Sequence, residues 1–372
     1  MPCTADVALT VHAEGSHTED GSAGLGTREG TQAPFVLRPR QRYLRCMATV
    51  FIDGVFVGRD EARVSAFDAG LQHGVGLFET LLALRGPEGA RVLHLHEHVE
   101  RLRASAVALG LSESLRGPAL EEAVRRTAAK AFEDHAGIDR LRVRLTITGG
   151  DLNMLARGEA SHGTPGVLVV AQPATAYPPA MFAQGVLATI ADLRANPFDP
   201  TQGHKTLNYW ARLRDLQAAG AKGAAEALVF SITNHLVGGC VSNAFVVRDG
   251  VLLTPIARGE EDALASGERG DEGDAPTPRK VGAVLPSPCL PGIVRRWVMD
   301  WALAEGIECR RRMVTLDDVL RGEDLFLTNS SWGVLPVVRV EAERIAGGSP
   351  GPIATRLVSA WADLTGVPKA DQ

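Results

Sequence analysis

The sequence predicts a mixed α/β protein (α/β or α+β) of two domains. Segments in which apolar side chains alternate, a pattern typical of strands, are interleaved in both halves with segments of helical period. At 372 residues the chain is longer than one small hydrophobic core supports. A proline-rich stretch without periodicity, 173–180, is the predicted linker between a first domain, 47–172, and a second, 181–372.

Composition and charge argue against several classes of function. The net charge of -5 offers no basic surface for nucleic acid or an anionic membrane, and no run of about 18 apolar residues could span a bilayer. The five cysteines are scattered, odd in number and without a CxxC pair, and no basic and then apolar leader opens the chain. We therefore expect a cytoplasmic protein with reduced thiols and no nucleic-acid or membrane partner.

Two segments have too few apolar residues to join a core. Residues 1–46 are rich in Gly, Ser, Thr and Glu, and we expect a disordered extension there. Alternatively Met47 is the natural start, because a strand pattern begins directly after it. Residues 258–280 are charged and small, and we expect a mobile surface insertion.

The order of the predicted elements follows from these periods. A hairpin at 48–59 turns at Asp53-Gly54, and a glycine-rich loop at 68–76 leads into a strand at 77–84. Further strands are predicted at 141–148, 167–171, 186–193, 227–232, 244–248, 251–253 and 325–329. Helices are predicted from near His96, at 120–132, along a helical face at 204–218, and at 292–305 and 353–364.

Lys205 is the first candidate for chemistry. It lies in GHKTLNYW, an apolar and aromatic segment. Burial disfavours a lysine's ammonium form, and a neutral amine can form an imine with an aldehyde. On this segment alone, a solvated lysine at a helix start is the more ordinary interpretation, since isolated lysines are mostly exposed.

Three other segments could hold a phosphate. SPCLPGIVRR starts a helix at Gly292, where free N–H groups and the helix dipole favour an anion. LTNSSW puts Ser330 and Ser331 directly after a strand, and HVERL supplies Arg101, a planar donor that suits phosphate. Taken singly, a glycine at a helix start is more often a cap, and Arg101 is more often a surface charge.

Eight segments, taken together, resemble the class IV aminotransferases and occur in that family's order: GLQHGVGLFETLLAL, HEHVERLRAS, RLTITGGD, HKTLNYW, EALVF, SNAFVVRDGVLLTP, LPGIVRRWV and EDLFLTNSSWGVLPV. The resemblance covers about residues 49–340, apart from the insertion. The family comprises branched-chain aminotransferases, D-amino-acid aminotransferases and aminodeoxychorismate lyases. It implies a small α/β domain, a larger domain with a barrel-like β-core, bound pyridoxal 5'-phosphate between them, and a homodimer.

The resemblance assigns roles position by position. Lys205 matches the catalytic lysine that holds the cofactor as a Schiff base, and Tyr209 matches the tyrosine at the phenolic oxygen, with a spacing that varies by one. Arg144 and Ser331 are implied to lie near the substrate. The residues implied to bind the phosphate are Arg101, Ile293, Val294 and Ser330.

The chain departs from the family at Gly238. In the family, a glutamate five residues before the Asn of the SNxF segment pairs with the pyridine nitrogen of the cofactor. This glutamate keeps the nitrogen protonated, which makes the ring a strong electron sink. Counting back from Asn243 gives Gly238, with Gly239 after it. Cys240 or a water could contact the nitrogen instead, or Glu226 could approach it through space.

Among the family's reactions we predict that of 4-amino-4-deoxychorismate lyase, which eliminates pyruvate to give 4-aminobenzoate. Two motifs favour the lyase: FET in place of the FEG of branched-chain aminotransferases, and TNSSWGVLPV. The lyase reaction is also driven by aromatisation of the product, so it can proceed with a weaker electron sink. Lys205 would move the protons of this small amine substrate. The alternatives are a branched-chain or D-amino-acid aminotransferase, and a cofactor-binding protein whose activity has decayed.

No metal site is predicted. His94, His96 and His98 alternate in HLHEHVE, but the segment turns into a helix, on which alternate residues do not share a face. The sequence has no HExxH, P-loop, GxSxG or GxGxxG motif.

Overall fold

The computed structural model describes residues 48–87, 89–151, 164–261 and 285–366. The predicted extension, 1–46, lies outside the described residues, as does most of the predicted insertion, 262–280. Across the described ranges we find no helix that combines the length and the apolar character needed to cross a membrane.

The first sheet has six antiparallel strands in the order β2-β1-β6-β5-β3-β4. Its strands are β1 (Thr49–Ile52), β2 (Val55–Val57), β3 (Gly76–Gly86), β4 (Gly89–Val92), β5 (Arg140–Thr148) and β6 (Val167–Pro173). The hairpin of β1 and β2 is confirmed, and its turn residues Asp53 and Gly54 have the positive φ of 46° and 98° that a tight two-residue hairpin turn requires.

Three helices accompany this sheet: α1 (Ala69–His73), α2 (Leu95–Ala108) and α3 (Gly117–Asp134). The apolar sides of α2 and α3 pack on one face of the sheet, where Leu102 and Val124 meet Leu81 and Leu145 in a buried cluster. The predicted loop at 68–76 is wrong in its middle, because Asp68 caps a short helix there by accepting a hydrogen bond from the Gly70 N–H at 2.7 Å.

The second sheet has nine strands in the order β12-β11-β10-β13-β14-β7-β8-β9, with β15 paired to β14. It is mixed, since β7 runs parallel to β8 and β14, and β11 runs parallel to β12. Its strands are β7 (Val186–Ala195), β8 (Glu226–Ser231), β9 (Leu236–Gly239), β10 (Asn243–Arg248), β11 (Val251–Pro255), β12 (Cys309–Arg312), β13 (Asp324–Asn329), β14 (Gly333–Val340) and β15 (Glu343–Arg344).

Five further helices lie along the second half of the chain: α4 (Ala180–Ala183), α5 (Trp210–Ala221), α6 (Ile293–Ala304), α7 (Leu316–Leu320) and α8 (Pro352–Thr365). A buried cluster joins two of them, α6 and α8, to the first sheet, where Leu82 and Leu84 of β3 pack with Val294 and Trp361. This cluster fixes the start of α6 against the first sheet.

The predicted helical face at 204–218 is wrong in its first part, since α5 begins only at Trp210. Residues 205–207 are instead extended along the end of β3. The Phe78 N–H donates to the Lys205 carbonyl at 2.9 Å, and the Leu207 N–H donates to the Gly76 carbonyl at 3.0 Å. If the helix began earlier, the Lys205 carbonyl and the Leu207 N–H would point along the helix axis and could not pair with β3.

We predict that Leu82→Ala lowers the free energy of unfolding by about 2–5 kcal/mol, because it opens a cavity in the cluster between β3, α6 and α8. Urea unfolding followed by tryptophan fluorescence measures this change. The matched control is Leu303→Ala on α6, where the leucine is 80% exposed and the same substitution should change stability by less than about 0.5 kcal/mol. Equal losses in the two variants would contradict this account of the packing.

Candidate active site

A cavity of about 490 Å³ lies beside the first sheet, and Arg101 of α2 reaches it. Its walls come from β3 and β5, the segment before α5, the loop after β9, the start of α6 and the turn after β13. The cavity is lined by the predicted site residues Arg101, Arg144, Lys205, Tyr209, Ile293, Val294, Ser330 and Ser331. The structure therefore brings together residues that are up to 230 positions apart in the sequence.

Lys205 lies in an aromatic part of this cavity. Its Nζ is 4.5 Å from the ring centroid of Phe78 and donates to the Tyr209 hydroxyl at 3.5 Å. Burial alone would raise the pKa of Tyr209, but the cations of Lys205 and Arg212 outweigh it and lower the pKa below its ordinary value. The amine thus has a hydroxyl within reach that exchanges a proton more readily than an ordinary tyrosine.

The start of α6 forms a second wall with unpaired backbone donors. Gly292 is the residue before the helix, and the N–H groups of Ile293 and Val294 belong to its open first turn. A Cβ on Gly292 would overlap the amide oxygen of Asn243, so only glycine lets the helix start this close to β10. The geometry suits an anion, as predicted.

Hydroxyl groups from β13 and the turn after it face the same region. Thr328 is buried, its Oγ1 has no hydrogen-bond partner among the described residues, and it lines the cavity. A phosphate group at this end would satisfy Thr328, which sequence reasoning missed, together with Ser330 and the first amides of α6. The residues present therefore fit the phosphate of pyridoxal 5'-phosphate, and Lys205 fits its aldehyde.

Arg101 is held by a buried network that sequence reasoning also missed. It donates to Glu79 through Nε at 2.9 Å and Nη2 at 2.5 Å, and to the Pro291 carbonyl at 2.9 Å. His98 lies 2.7 Å from Glu79 through Nδ1 and 3.3 Å from the Ser330 hydroxyl through Nε2. One carboxylate thereby positions both a cation and a hydroxyl at the phosphate end of the cavity.

The ionisation of this network follows from its surroundings. Burial alone would raise the pKa of Glu79, but Arg101 and His98 outweigh it and lower the pKa to about 2. For His98 burial is the largest cause, and it lowers the pKa even though Glu79 opposes it. A neutral His98 with an ionised Glu79 places the ring proton on Nδ1 and leaves Nε2 to accept from Ser330.

Gly238 does not line the cavity, and its backbone could not readily carry a carboxylate. It has a positive φ of 151°, and a Cβ there would lie 2.6 Å from the Ser242 carbonyl oxygen. Its neighbours Gly239 and Cys240 do line the cavity. Burial, the largest cause, and Glu226 raise the pKa of the Cys240 thiol to about 12, so this group is a neutral thiol at physiological pH.

Glu226 lies behind the same loop. Its carboxylate accepts from the backbone N–H groups of Ala227, Cys240 and Val241 at 3.0–3.1 Å and from the Ser242 hydroxyl at 3.0 Å. Burial raises its pKa in spite of these hydrogen bonds. The oxygens of Glu226 are thus directed at the loop, and Glu226 does not line the cavity.

The three alternating histidines face three different carboxylates. His96 lies 2.9 Å from Glu121, His94 lies 3.7 Å from Glu97, and His98 belongs to the network of Glu79. No group of potential metal ligands is found within the described ranges.

Comparison with known proteins decides the family. The model of the family described as amino-transferase class IV matches residues 76–264 and 279–340. The chain belongs to this family. The predicted mixed α/β fold, the assignment as an enzyme and the cofactor pyridoxal 5'-phosphate are thereby confirmed.

Relatives and solved structures similar to this class IV protein include aminotransferases and a lyase. A protein of Methanocaldococcus jannaschii, provisionally named a branched-chain-amino-acid aminotransferase, is 28% identical over 321 residues, which are 85% of this chain and 96% of the relative. The solved structure of the Escherichia coli branched-chain amino acid aminotransferase has a TM-score of 0.70 at 24% identity and covers 87% of this chain and 96% of that one. The 4-amino-4-deoxychorismate lyase of Pseudomonas aeruginosa has a TM-score of 0.64 at 24% identity and covers 86% and 100%. At these identities the two structures show the fold alone.

We predict that Glu79→Gln lowers stability at neutral pH and flattens its acid dependence. With a folded pKa of about 2 against an ordinary 4.5, ionised Glu79 stabilises the fold above pH 4.5, and this contribution is lost as the pH falls towards 2. The shift corresponds to about 3 kcal/mol. Urea unfolding at several pH values measures it, with the exposed Glu122→Gln as control. A Glu79→Gln protein whose stability falls with acid as steeply as that of the parent would contradict the network.

We predict that Gly238→Ala lowers the free energy of unfolding by roughly 1–3 kcal/mol, because alanine is strained at this φ and its Cβ meets the Ser242 carbonyl. The control is Gly220→Ala in α5, where nothing lies within 4 Å of the added Cβ and a helical alanine should stabilise slightly. Thermal unfolding of both variants tests the contrast. A stable Gly238→Ala protein would show that position 238 can accept a side chain.

Proposed function

We propose that this protein is a pyridoxal-phosphate-dependent aminotransferase that moves an amino group between α-amino acids and 2-oxo acids. The observation that supports it most is the position of Lys205, whose amine faces an aromatic cavity with an anion-binding end at α6 and a guanidinium wall on β5. The names of the relatives support branched-chain amino acids as the first substrates to test. The names of the relatives thus support a branched-chain aminotransferase over the lyase that the sequence motifs predicted.

When bound, the cofactor would supply an aldehyde that is reactive towards amines and a conjugated ring that can accept electrons. Lys205 then removes and returns the proton of the substrate's α-carbon as general base and acid. Tyr209 supports this role, since its hydroxyl lies 3.5 Å from the lysine Nζ. The amides of Ile293 and Val294, with Ser330 and Arg101, would hold the phosphate.

The aromatic walls of the cavity orient the reacting groups. The Phe78 ring packs edge-on against Tyr209 at 5.2 Å, and the Tyr177 ring packs edge-on against Trp332 at 5.8 Å. Such packing limits the rotamers of both tyrosines.

Aminodeoxychorismate lyase is the second candidate. Its substrate carries two carboxylates, and two arginines, Arg142 and Arg144, line the cavity. The absence of a carboxylate at Gly238 also suits a reaction driven by aromatisation. Pyruvate release from aminodeoxychorismate, measured beside transamination of an amino-acid panel, distinguishes the two candidates.

Three further properties remain part of the proposal. We expect a homodimer, a cytoplasmic location, and a division into a smaller first and a larger second domain about the linker at 173–180. Sedimentation of the purified protein tests the first of these.

We predict that Lys205→Ala abolishes covalent capture of the cofactor and lowers turnover at least about 1,000-fold, because the variant lacks both the attachment point and the proton carrier. Borohydride reduction of the loaded protein, followed by peptide mass spectrometry, should place the adduct on Lys205. The control Lys222→Ala, at an exposed position after α5, should retain the adduct and the activity. An adduct on Lys222 or Lys130 in the parent protein would sink the proposal.

A further inference from the structure

A buried histidine connects the phosphate end of the cavity to the carboxylate behind it. The side chain of His98 is 3% exposed, and its Nδ1 lies 2.7 Å from an oxygen of Glu79. Its Nε2 lies 3.3 Å from the hydroxyl of Ser330. Ser330 lines the cavity, whereas His98 and Glu79 lie behind the lining. An event at the cavity surface therefore reaches His98 through one hydroxyl group.

The Ser330 hydroxyl has a single proton, and two acceptors compete for it. Ionised Glu79 accepts the Nδ1 proton, so a neutral His98 has a bare Nε2 to which the hydroxyl donates. A phosphate dianion offers acceptor oxygens alone, so it needs the same proton. If the hydroxyl turned to a phosphate, Nε2 and the hydroxyl oxygen would face each other in a buried place with no hydrogen between them.

The charges behind the cavity lead to the same need for a proton. Arg101 donates through Nε and Nη2 to Glu79 and through Nη1 to the Pro291 carbonyl. Its positive charge is therefore offset by Glu79, and most of its N–H groups are in use. The start of α6 contributes the partial charge of a helix N-terminus. A dianion held against this neutral pair would be stabilised by a further positive charge.

The groups that act on His98 come from two elements. Burial is the largest cause and lowers the pKa of His98, Glu79 of β3 opposes it, and Arg101 and His94 of α2 lower it further. The turn after β13 presents the Ser330 hydroxyl. The charge that differs between the chain alone and the chain with a ligand is thus the charge of the anion.

We propose that His98 takes up one proton when a phosphate group binds, so that the imidazolium donates to Glu79 and Ser330 while the Ser330 hydroxyl donates to the phosphate. The proton comes from solvent and is bound at Nε2. Ser330 keeps its own proton and changes only its acceptor, so no other bond forms or breaks. His98 is then a positioning residue that acts through Ser330. The inference rests on the phosphate site of the proposed function and not on its reaction, since an aminotransferase and a lyase would use the same site.

Proton uptake makes anion binding weaker as the pH rises. Without a ligand, His98 is neutral above its lowered pKa, and with a phosphate it stays charged to a higher pH. Between these two pH values the affinity for the anion should fall by up to about 10-fold for each unit of pH.

The protonation of His98 in the cofactor-loaded protein is the first test. NMR of the histidine ring nitrogens at about pH 8 should show one ring with both nitrogens protonated, although an ordinary histidine is neutral there. The signal should be missing in His98→Gln, whose amide donates to Ser330 without titrating. The matched control is His96→Gln on the same helix, where the imidazole side chain is 72% exposed and its removal should leave the signal in place.

Calorimetry of the full chain freed of cofactor counts the protons. Sulfate is the probe, because it is a dianion at about pH 8 and cannot bring the proton itself, as a phosphate monoester can. In buffers of different ionisation enthalpy, the parent and His96→Gln should take up about one proton for each sulfate, and His98→Gln close to none.

Ser330→Ala is the second variant, and it decides the matter if His98→Gln does not fold. It keeps His98, Glu79 and Arg101 but removes the hydroxyl that links them to the anion, so proton uptake should fall below about half of the parent's. Unchanged uptake in either variant, or a neutral His98 ring in the loaded protein, would overturn the inference. A protein that takes up the proton but converts no amino acid would refute the proposed transamination and leave this inference standing.

Discussion

The pairing of residues 205–207 with the end of β3 is the contact from which the geometry of the site derives. It attaches the lysine segment to the strand that also carries Phe78 towards the cavity and Glu79 towards Arg101. The approach is close: a Cβ on Gly76 would lie 2.5 Å from the Ile147 carbonyl oxygen and 2.7 Å from a Leu207 methyl carbon. Only glycine permits this close approach. Because β3 also pairs with β5 along its length, it fixes where Arg142 and Arg144 of β5 lie relative to the lysine segment.

Charge is distributed unevenly in this cavity. The guanidinium of Arg101 has an internal counterion, whereas among the described residues no carboxylate is found paired with Arg142 or Arg144. Glu79 is the carboxylate that offsets the positive charge at the phosphate end, and it is buried and fully hydrogen-bonded. Such an arrangement favours anionic ligands over neutral ones.

The sequence predicted most of the strands because their apolar alternation survives in the structure, as in Leu141, Val143 and Leu145 of β5. The early helix start was wrong because the Leu207–Trp210 spacing fits a helix, whereas tertiary pairing with β3 overrides it. Glu79 was missed for another reason. Its partner Arg101 is 22 positions away on a different element, and nothing in the local pattern reveals an ion pair across that distance.

The conformation of Gly238 could not be predicted from motifs or composition. Counting along the sequence found that a carboxylate is missing there, but only the structure shows that the Ser242 carbonyl and a positive φ occupy the space a side chain would need. The loop after β9 is in turn held in this shape by Glu226, whose oxygens take up its amide groups. A side chain at position 238 would therefore displace the Ser242 carbonyl, and with it the loop whose amides Glu226 holds. The loop after β9 thus limits which residues position 238 accepts, and a substitution there that keeps the fold calls for a compensating change at Ser242 or Glu226.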